Sequence, residues 1–477
     1  MGNFIQDSEY EMLTSPLTNK KHIHFIGIGG SGMYPLAQIL HTKEYYLTGS
    51  DNNETDTLRA VRKMGIPVYM GQSADNIGDA DLVVYSAAIM KDNPELVAAR
   101  SSSADVLERS DMLGIITREY EHAVCVSGTH GKTTVTSMIT QILKGGGIDI
   151  TAYIGGKLPL IGGSGCVGST QTMVCEACEF VDTFLKLSPD TAVVLNVDED
   201  HLDYFKNLDN IIKSFHRFCG LAKSRVIANG DDENTRKALE GIDKEIITFG
   251  YNESNDWYPL NIVRKNGMCT VFDIYHEGEL FTSVQLNIPG EHNVLNTVAA
   301  AAAAYANGAD AEMIAKGIGD FHGAKRRFEK YGEAGGITVA DDYGHHPKEL
   351  SVTLNAAMEM GYNRVWAVFQ PFTFSRTALL LDDFVKALSI PDKCVITAIM
   401  GGRENNDYNI YDTDLASKID GAVWFPDEQD HDKNFELCAE YVCENAENGD
   451  LVLTMGCGDI NKCAVLILEK LWSKYGE

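Results

Sequence analysis

Among the residues that could do chemistry, the eight of Ser127–Thr134, reading SGTHGKTT, come first. An apolar run, AVCV, precedes them and VTSMITQIL follows, which is the pattern strand, glycine turn, helix. The backbone N–H groups of Thr129 to Thr133 can converge at a helix N-terminus, where the dipole and unpaired donors favour an anion. Lys132 would reach the terminal phosphates of a nucleoside triphosphate, and the Thr133 hydroxyl would hold Mg²⁺. The expected ligand is ATP. The loop is tight, because Val126 stands where a common phosphate loop has its first glycine and Gly128 comes two residues later.

Four other stretches carry candidate chemistry. Gly27-x-Gly29-x-x-Gly32, followed by Asp51, has the spacing of a dinucleotide fingerprint. A full second nucleotide site downstream and the lack of a hydride-transfer constellation argue against NAD, and a uridine diphosphate fits the same crevice. Close helix–strand packing is the plainer alternative. In CEACEF, Cys175 and Cys178 have redox or zinc spacing but no partner pair, so Glu176 is the expected metal-ligating carboxylate, facing the phosphate loop between two buried thiols. In NVDEDHLD, His201 sits beside Asp198, Glu199, Asp200 and Asp203, a density of acids that a divalent cation would relieve. In DDYGHHP, Gly344 and Pro347 fix a turn around His345 and His346, for which nucleotide contacts are favoured over a metal. Arg326, Arg327, Arg376 and Arg403 stand at strand ends or a boundary, where a planar guanidinium would pair with phosphate or carboxylate.

Positioning these groups takes an α/β fold. Strands alternate with helices from HIHFIGIGG through YYLTGSD, PVYMG and ADLVVYSAAI, which predicts a parallel sheet with ligands at its C-terminal edge. A second α/β unit starts at the phosphate loop and includes TMVCEACEF, TAVVLNVDEDHL and the Ala-rich helix after IPGEHNVLN. A third has four apolar strands, in GITVADD, RVWAVFQ, KCVITAI and DLVLTMG. The expected domains are 1–120, 121–325 and 326–477, and 477 residues suit about three. A formal charge of −28 disfavours nucleic acid and anionic membrane as partners. Eleven scattered cysteines suit buried thiols in a reducing cytoplasm, and the acidic start shows no apolar leader.

In order along the chain, GIGGSGM, SGTHGKTT, EACE, NVDEDHLDYF, PGEHNVLN, RRFE, DDYGHHP, FQPFTFSRT and TMGCGDI resemble the Mur ligase family, from about His22 to the C-terminal helix. The short phosphate loop is itself characteristic of that family. The resemblance implies three domains: a Rossmann-like UDP-binding domain, a central P-loop ATPase-like domain and a C-terminal Rossmann-like domain. It implies ATP-dependent joining of L-alanine to the carboxylate of UDP-N-acetylmuramate, a cytoplasmic step of peptidoglycan synthesis, by a monomer or homodimer. Attachment of a recycled peptide to the same sugar nucleotide is the nearest alternative; an NAD-dependent oxidoreductase and a non-catalytic nucleotide-binding regulator are the others.

By that similarity, Gly128, Thr129, His130, Gly131, Lys132, Thr133 and Thr134 bind ATP, with His292, Asn293 and Asn296 around adenine, Asp342 on ribose and Arg327 on the γ-phosphate. Thr133 and Glu176 would share one Mg²⁺, and His201 would bind a second. Lys132, Glu176, His201 and Arg327 would be the catalytic groups. Gly27, Gly29, Gly30, Ser31, Gly32, Asp51 and Ser86 would form the UDP-sugar site, and Arg376, Tyr343 and His345 the amino-acid site. The chain departs from the family at Phe372, where histidine is common, which bears on selectivity for L-alanine over glycine or serine. Lys213 lies too early for the carbamylated lysine of sister ligases, so no carbamate is expected.

Overall fold

The computed structural model describes residues 17–265, 269–402, 404–425 and 430–476. Among the described residues three sheets form. The first contains β1 (His22–Ile26), β2 (Tyr46–Asp51), β3 (Val68–Met70), β4 (Leu82–Tyr85) and β5 (Asp105–Glu108) in the order β3-β2-β1-β4-β5. Every pairing is parallel. The order reverses at β1, so the crevice beyond its C-terminal end is the switch point where such sheets bind ligands. The short β5 has no apolar run of its own; Asp105 is exposed and the other three residues are only partly buried.

The second sheet contains β6 (His122–Ser127), β7 (Thr151–Leu158), β8 (Gly163–Cys166), β9 (Thr172–Glu176), β10 (Thr191–Val194), β11 (Arg225–Asn229), β12 (Glu245–Phe249), β13 (Trp257–Arg264), β14 (Thr270–His276) and β15 (Glu279–Leu286). Their order is β15-β14-β13-β12-β11-β10-β6-β9-β7-β8. The central strand β6 lies parallel to both β10 and β9. It is apolar from Ala123 to Val126 and buried on both faces from Ala123 to Ser127, as a strand covered by helices must be. The phosphate loop, Glu176 and the acidic run after Val194 therefore emerge at one edge of one sheet.

The third sheet contains β16 (Glu329–Ala334), β17 (Ile337–Asp342), β18 (Arg364–Phe369), β19 (Lys393–Ile396), β20 (Val423–Trp424) and β21 (Asp450–Met455), ordered β16-β17-β21-β18-β19-β20. The four expected apolar strands are β17, β18, β19 and β21. The antiparallel β16 and the two-residue β20 extend the sheet at its edges.

The chain forms two compact units. One runs from the first described residue to Ile262, with Phe272–Gln285 and Leu295–Phe321, and holds the first sheet and most of the second. A single core joins them: Phe25 and Leu36 beside the first sheet belong to the same buried cluster as Cys125, Phe184 and Phe215. The helix Arg109–Arg118 contributes Met112, Leu113, Ile115 and Ile116 to that core, at ~1.5–3 kcal/mol for each side chain fully buried. Its first turn is consequently held fast. The other unit comprises Val263–Val271, Leu286–Val294 and His322–Glu477. Two apolar clusters fill it, one centred on Leu350, Phe369 and Phe384, the other on Trp366, Phe435 and Leu471. No helix among the described residues is long and apolar enough to cross a membrane.

Candidate active site

In the first unit, β6 ends at Ser127 and the loop turns through Gly128 and Gly131, at φ of 144° and 89°. A side chain at either would be strained, and a Cβ on Gly131 would stand 2.7 Å from Asn296 Oδ1. Gly131 caps the helix Lys132–Gly145, whose first amides have no intrahelical acceptor. The five expected amides do not all converge. Thr129 N–H donates to the Asn196 carbonyl (3.1 Å) and His130 N–H to Asn196 Oδ1 (2.8 Å). Asn196 Nδ2 returns a bond to the His130 carbonyl at 3.0 Å. The two residues missing from the tight loop are compensated by this side-chain brace, and the nest narrows to Gly131, Lys132 and Thr133.

Lys132 Nζ donates to the carbonyls of Gly128 (2.6 Å) and Thr129 (3.2 Å) and lies 2.9 Å from Glu179 Oε2. Burial works against its charge, but Glu179 and the neighbouring Cys178 hold the ammonium well above the ordinary lysine value. Thr133 Oγ1 donates to Glu176 Oε2 at 2.8 Å, and Gly155 N–H donates to the same oxygen at 2.9 Å. The structure thus brings together Lys132, Thr133 and Glu176. His201, at a left-handed φ of 51°, falls into a separate group with Glu179 and Asp200, whose ligand atoms all lie within 4.8 Å of one another. Two carboxylates and an imidazole at that spacing, next to a hydroxyl–carboxylate pair, fit hard divalent cations. Glu179 went unassigned in the sequence, although EACE contains it; its burial, at 2% exposure, is the feature no motif reveals.

The two thiols of CEACEF differ in burial, which corrects the expectation that both are buried. Cys175 is fully buried against Cys125, Sγ to Sγ 3.3 Å, across paired strands. Cys178 is only partly buried and lines a cavity with Glu176 and Arg109; burial, then Glu179, pushes its thiol up to about 11. All eleven cysteines are free.

The glycine turn after β1 is equally well braced. Gly30 N–H bonds the Gly27 carbonyl (3.1 Å), and Gly29 N–H donates to Asp51 Oδ2 (2.9 Å). Ser31 offers its carbonyl to Ser164 Oγ at 2.8 Å, and Ser86 N–H bonds the Ile26 carbonyl at 3.2 Å. Gly27, Gly29, Gly30, Ser31, Gly32, Asp51 and Ser86 therefore line one rim, as their strand ends require.

In the second unit, Arg326 is a structural residue: its guanidinium donates to Asp341 (2.8 Å) and to the carbonyls of Gly458 (2.7 Å) and Gly456 (2.6 Å). Arg327 lies over the Tyr343 ring, 5.6 Å from its centroid. Asp342 is buried and accepts from Phe328 N–H (2.9 Å) and Gly344 N–H (2.8 Å), so it braces the segment that carries Arg327. His292 packs on Gly290, and Asn293 Nδ2 bonds the Pro289 carbonyl. Asn296 belongs to the first unit, beside the phosphate loop. Arg376 Nη1 is buried without a hydrogen-bond partner among the described residues. Arg403 lies outside the described residues.

Glu349, also unassigned in the sequence, caps the helix Pro347–Met358 by accepting from His345 N–H (3.0 Å) and His346 N–H (3.1 Å). Burial opposes its ionisation, yet His345, Arg327 and those amides hold it down to about 2. Burial first, with Arg376 and Arg327 adding to it, lowers His345 in turn, so near neutral pH the imidazole is uncharged and Arg327 with the amides keeps Glu349 ionised. A depressed carboxylate stabilises the fold above its unfolded value of ~4.3 and stops doing so as pH falls toward its folded one. Glu349→Gln is expected to lose ~1.5–3 kcal/mol at pH 7, the range for hydrogen bonds to a charged group. Urea denaturation from pH 5 to pH 3 checks this: the gap to wild type should narrow, and a constant gap would refute it.

Comparison with known proteins gives these groups a context. Residues 22–121 match the Mur ligase family catalytic domain, 126–304 the Mur ligase middle domain and 326–458 the Mur ligase glutamate ligase domain. The chain belongs to the Mur ligase family. It has the three-domain α/β architecture of Mur ligases. It is 44% identical over 456 residues to the UDP-N-acetylmuramate–L-alanine ligase of Acetivibrio thermocellus, covering 94% of this chain and 96% of that one. The solved UDP-N-acetylmuramate–alanine ligase of Thermotoga maritima superposes with a TM-score of 0.79 at 27% identity, over 96% of this Mur ligase and 100% of the other. A murein peptide ligase from Psychrobacter arcticus, at 24% identity and a TM-score of 0.71, covers 94% of this chain and 98% of its own and shares the fold.

Proposed function

We propose that this Mur ligase joins L-alanine to the carboxylate of UDP-N-acetylmuramate, with ATP converted to ADP and phosphate. The reading is carried by the Lys132–Thr133–Glu176 group at a helix N-terminus, in a chain that aligns over 94% of its length with an L-alanine ligase. A carboxylate is a poor electrophile and needs activation. One of its oxygens attacks the γ-phosphorus, the bond to the β-phosphate oxygen breaks, and ADP leaves an acyl phosphate. The amine of L-alanine then adds to the carbonyl carbon, and the tetrahedral intermediate expels phosphate and loses a proton to give the amide.

The residue roles are those that the family resemblance implies. Gly128, Thr129, His130, Gly131 and Thr134 shape the phosphate loop; Lys132 serves the β,γ-phosphates and Arg327 the γ-phosphate. Thr133 with Glu176 would hold one Mg²⁺, and His201 with Glu179 and Asp200 a second. Bound there, the ions supply charge neutralisation between two anionic reactants. His292, Asn293 and Asn296 would surround adenine, with Asp342 near ribose. Gly27, Gly29, Gly30, Ser31, Gly32, Asp51 and Ser86 would bind the UDP-sugar. Arg376, Tyr343 and His345 would take the amino acid. Cytoplasmic residence suits nucleotide substrates and eleven free thiols.

The test is phosphate release from ATP and UDP-N-acetylmuramate with L-alanine, glycine, L-serine or L-Ala-γ-D-Glu-diaminopimelate supplied separately. L-Alanine is expected to drive release best, with Phe372 tolerated. Release driven by the tripeptide alone would instead make the chain a recycling ligase.

A further inference from the structure

Arg109 is a cation whose guanidinium bonds a phenol, not a carboxylate, among the described residues. It follows β5 and opens the helix Arg109–Arg118, at the same C-terminal rim of the first sheet as the glycine turn, Asp51 and Ser86. Its side chain crosses over that turn: a Cβ on Gly32 would lie 3.0 Å from Arg109 Nη1 and 2.7 Å from the Tyr153 hydroxyl. Nη1 donates to that hydroxyl, which burial keeps neutral by pushing its pKa up. Among the described residues no carboxylate forms an ion pair with the guanidinium, in a chain of net charge −28. The neighbouring acids Glu108 and Asp111 lie against Lys186 instead.

The same guanidinium faces a cavity that Glu176, Cys178 and Thr183 also line. Glu176 holds the Thr133 hydroxyl, so the cavity reaches from Arg109 to the phosphate-loop group. A partly buried guanidinium that bonds a neutral phenol, feels Glu108 only through its field and faces a Glu176 already engaged by Thr133 and Gly155 is poorly compensated unless an anion completes it. We propose that Arg109 binds an anionic oxygen of the sugar nucleotide, between the glycine turn and the phosphate loop. This rests on the ligase reading above and adds to it a contact that no motif assigns. An arginine there would also offset the repulsion between the sugar nucleotide and the ATP phosphates.

The full-length enzyme tests this with Arg109→Met, which keeps the stem and removes the charge, and Arg109→Lys, which keeps the charge. Calorimetric titration with UDP-N-acetylmuramate should show binding weakened by about 10- to 100-fold in Arg109→Met, the value of a charged hydrogen bond, and partly restored in Arg109→Lys. The KM for ATP and the unfolding temperature should stay near wild type, which a merely structural role would not predict. Titration with UDP-N-acetylglucosamine, which lacks the carboxylate, locates the contact. Equal weakening places it on the diphosphate, and weakening for UDP-N-acetylmuramate alone places it on the carboxylate. Undiminished binding of UDP-N-acetylmuramate, or an equal loss of affinity for ATP, would overturn the proposal. A wild-type protein that binds no sugar nucleotide would defeat the ligase reading, and this contact with it.

Discussion

Lys132→Ala is expected to cut phosphoryl transfer by about 10²- to 10³-fold, as loss of one preorganised charge donor does in other enzymes. The reasoning starts from charge. Two anions must meet when a carboxylate attacks a triphosphate, and Lys132 is the ammonium that opens the helix of the phosphate loop. It already lies against Glu179 and two loop carbonyls, so its alkyl chain is ordered before nucleotide arrives. Removing it also strands Glu179, a buried carboxylate, which costs stability in its own right. Glu179→Gln combined with Lys132→Ala removes that stranded charge, and thermal unfolding of both variants separates lost chemistry from lost fold. Phosphate release at the wild-type rate by folded Lys132→Ala would refute the assignment of the loop.

Arg376→Ala should raise the KM for L-alanine by about 10- to 100-fold and leave that for ATP nearly unchanged. Its Nη1 is buried and lacks a partner among the described residues, whereas the nearby Arg326 is saturated by Asp341 and two carbonyls. A guanidinium prepared for a carboxylate should show this asymmetry. The electrostatic influence of Arg376 also reaches His345, Glu349's neighbour, which places the three in one field. Initial-rate kinetics with each substrate varied in turn decides the matter. Equal effects on both constants would move the amino-acid site elsewhere.

What the sequence disclosed was what its spacing dictates. Gly-Lys-Thr between a strand and a helix permits few local structures, and strand alternation with helices predicts the parallel sheets that put Glu176 and the phosphate loop on one edge. Partners that meet across long separations had no such signal. Asn196 is 66 residues from His130, and only the pairing of β10 with β6 reveals that it takes over the loop amides. Glu179 and Cys178 share a motif with Glu176 and Cys175, but burial decides that Glu179 meets Lys132 while Cys178 faces a cavity. Glu349 sits three residues after His346, a capping position the sequence does show, yet the field of Arg327 that acts on it depends on the fold. Arg326 and Arg327 are adjacent and chemically identical; the structure alone assigns the first to scaffolding.

The measurement that bears most directly on the central claim uses UDP-N-acetylmuramate with ¹⁸O in both carboxylate oxygens, turned over with ATP and L-alanine. The acyl-phosphate route transfers one of those oxygens to the phosphate released and keeps the other in the new amide. Mass spectrometry of the inorganic phosphate should therefore find one ¹⁸O per turnover. Unlabelled phosphate alongside L-alanine-containing product would contradict attack of the carboxylate on the γ-phosphorus, and absence of that product would contradict the ligase assignment itself.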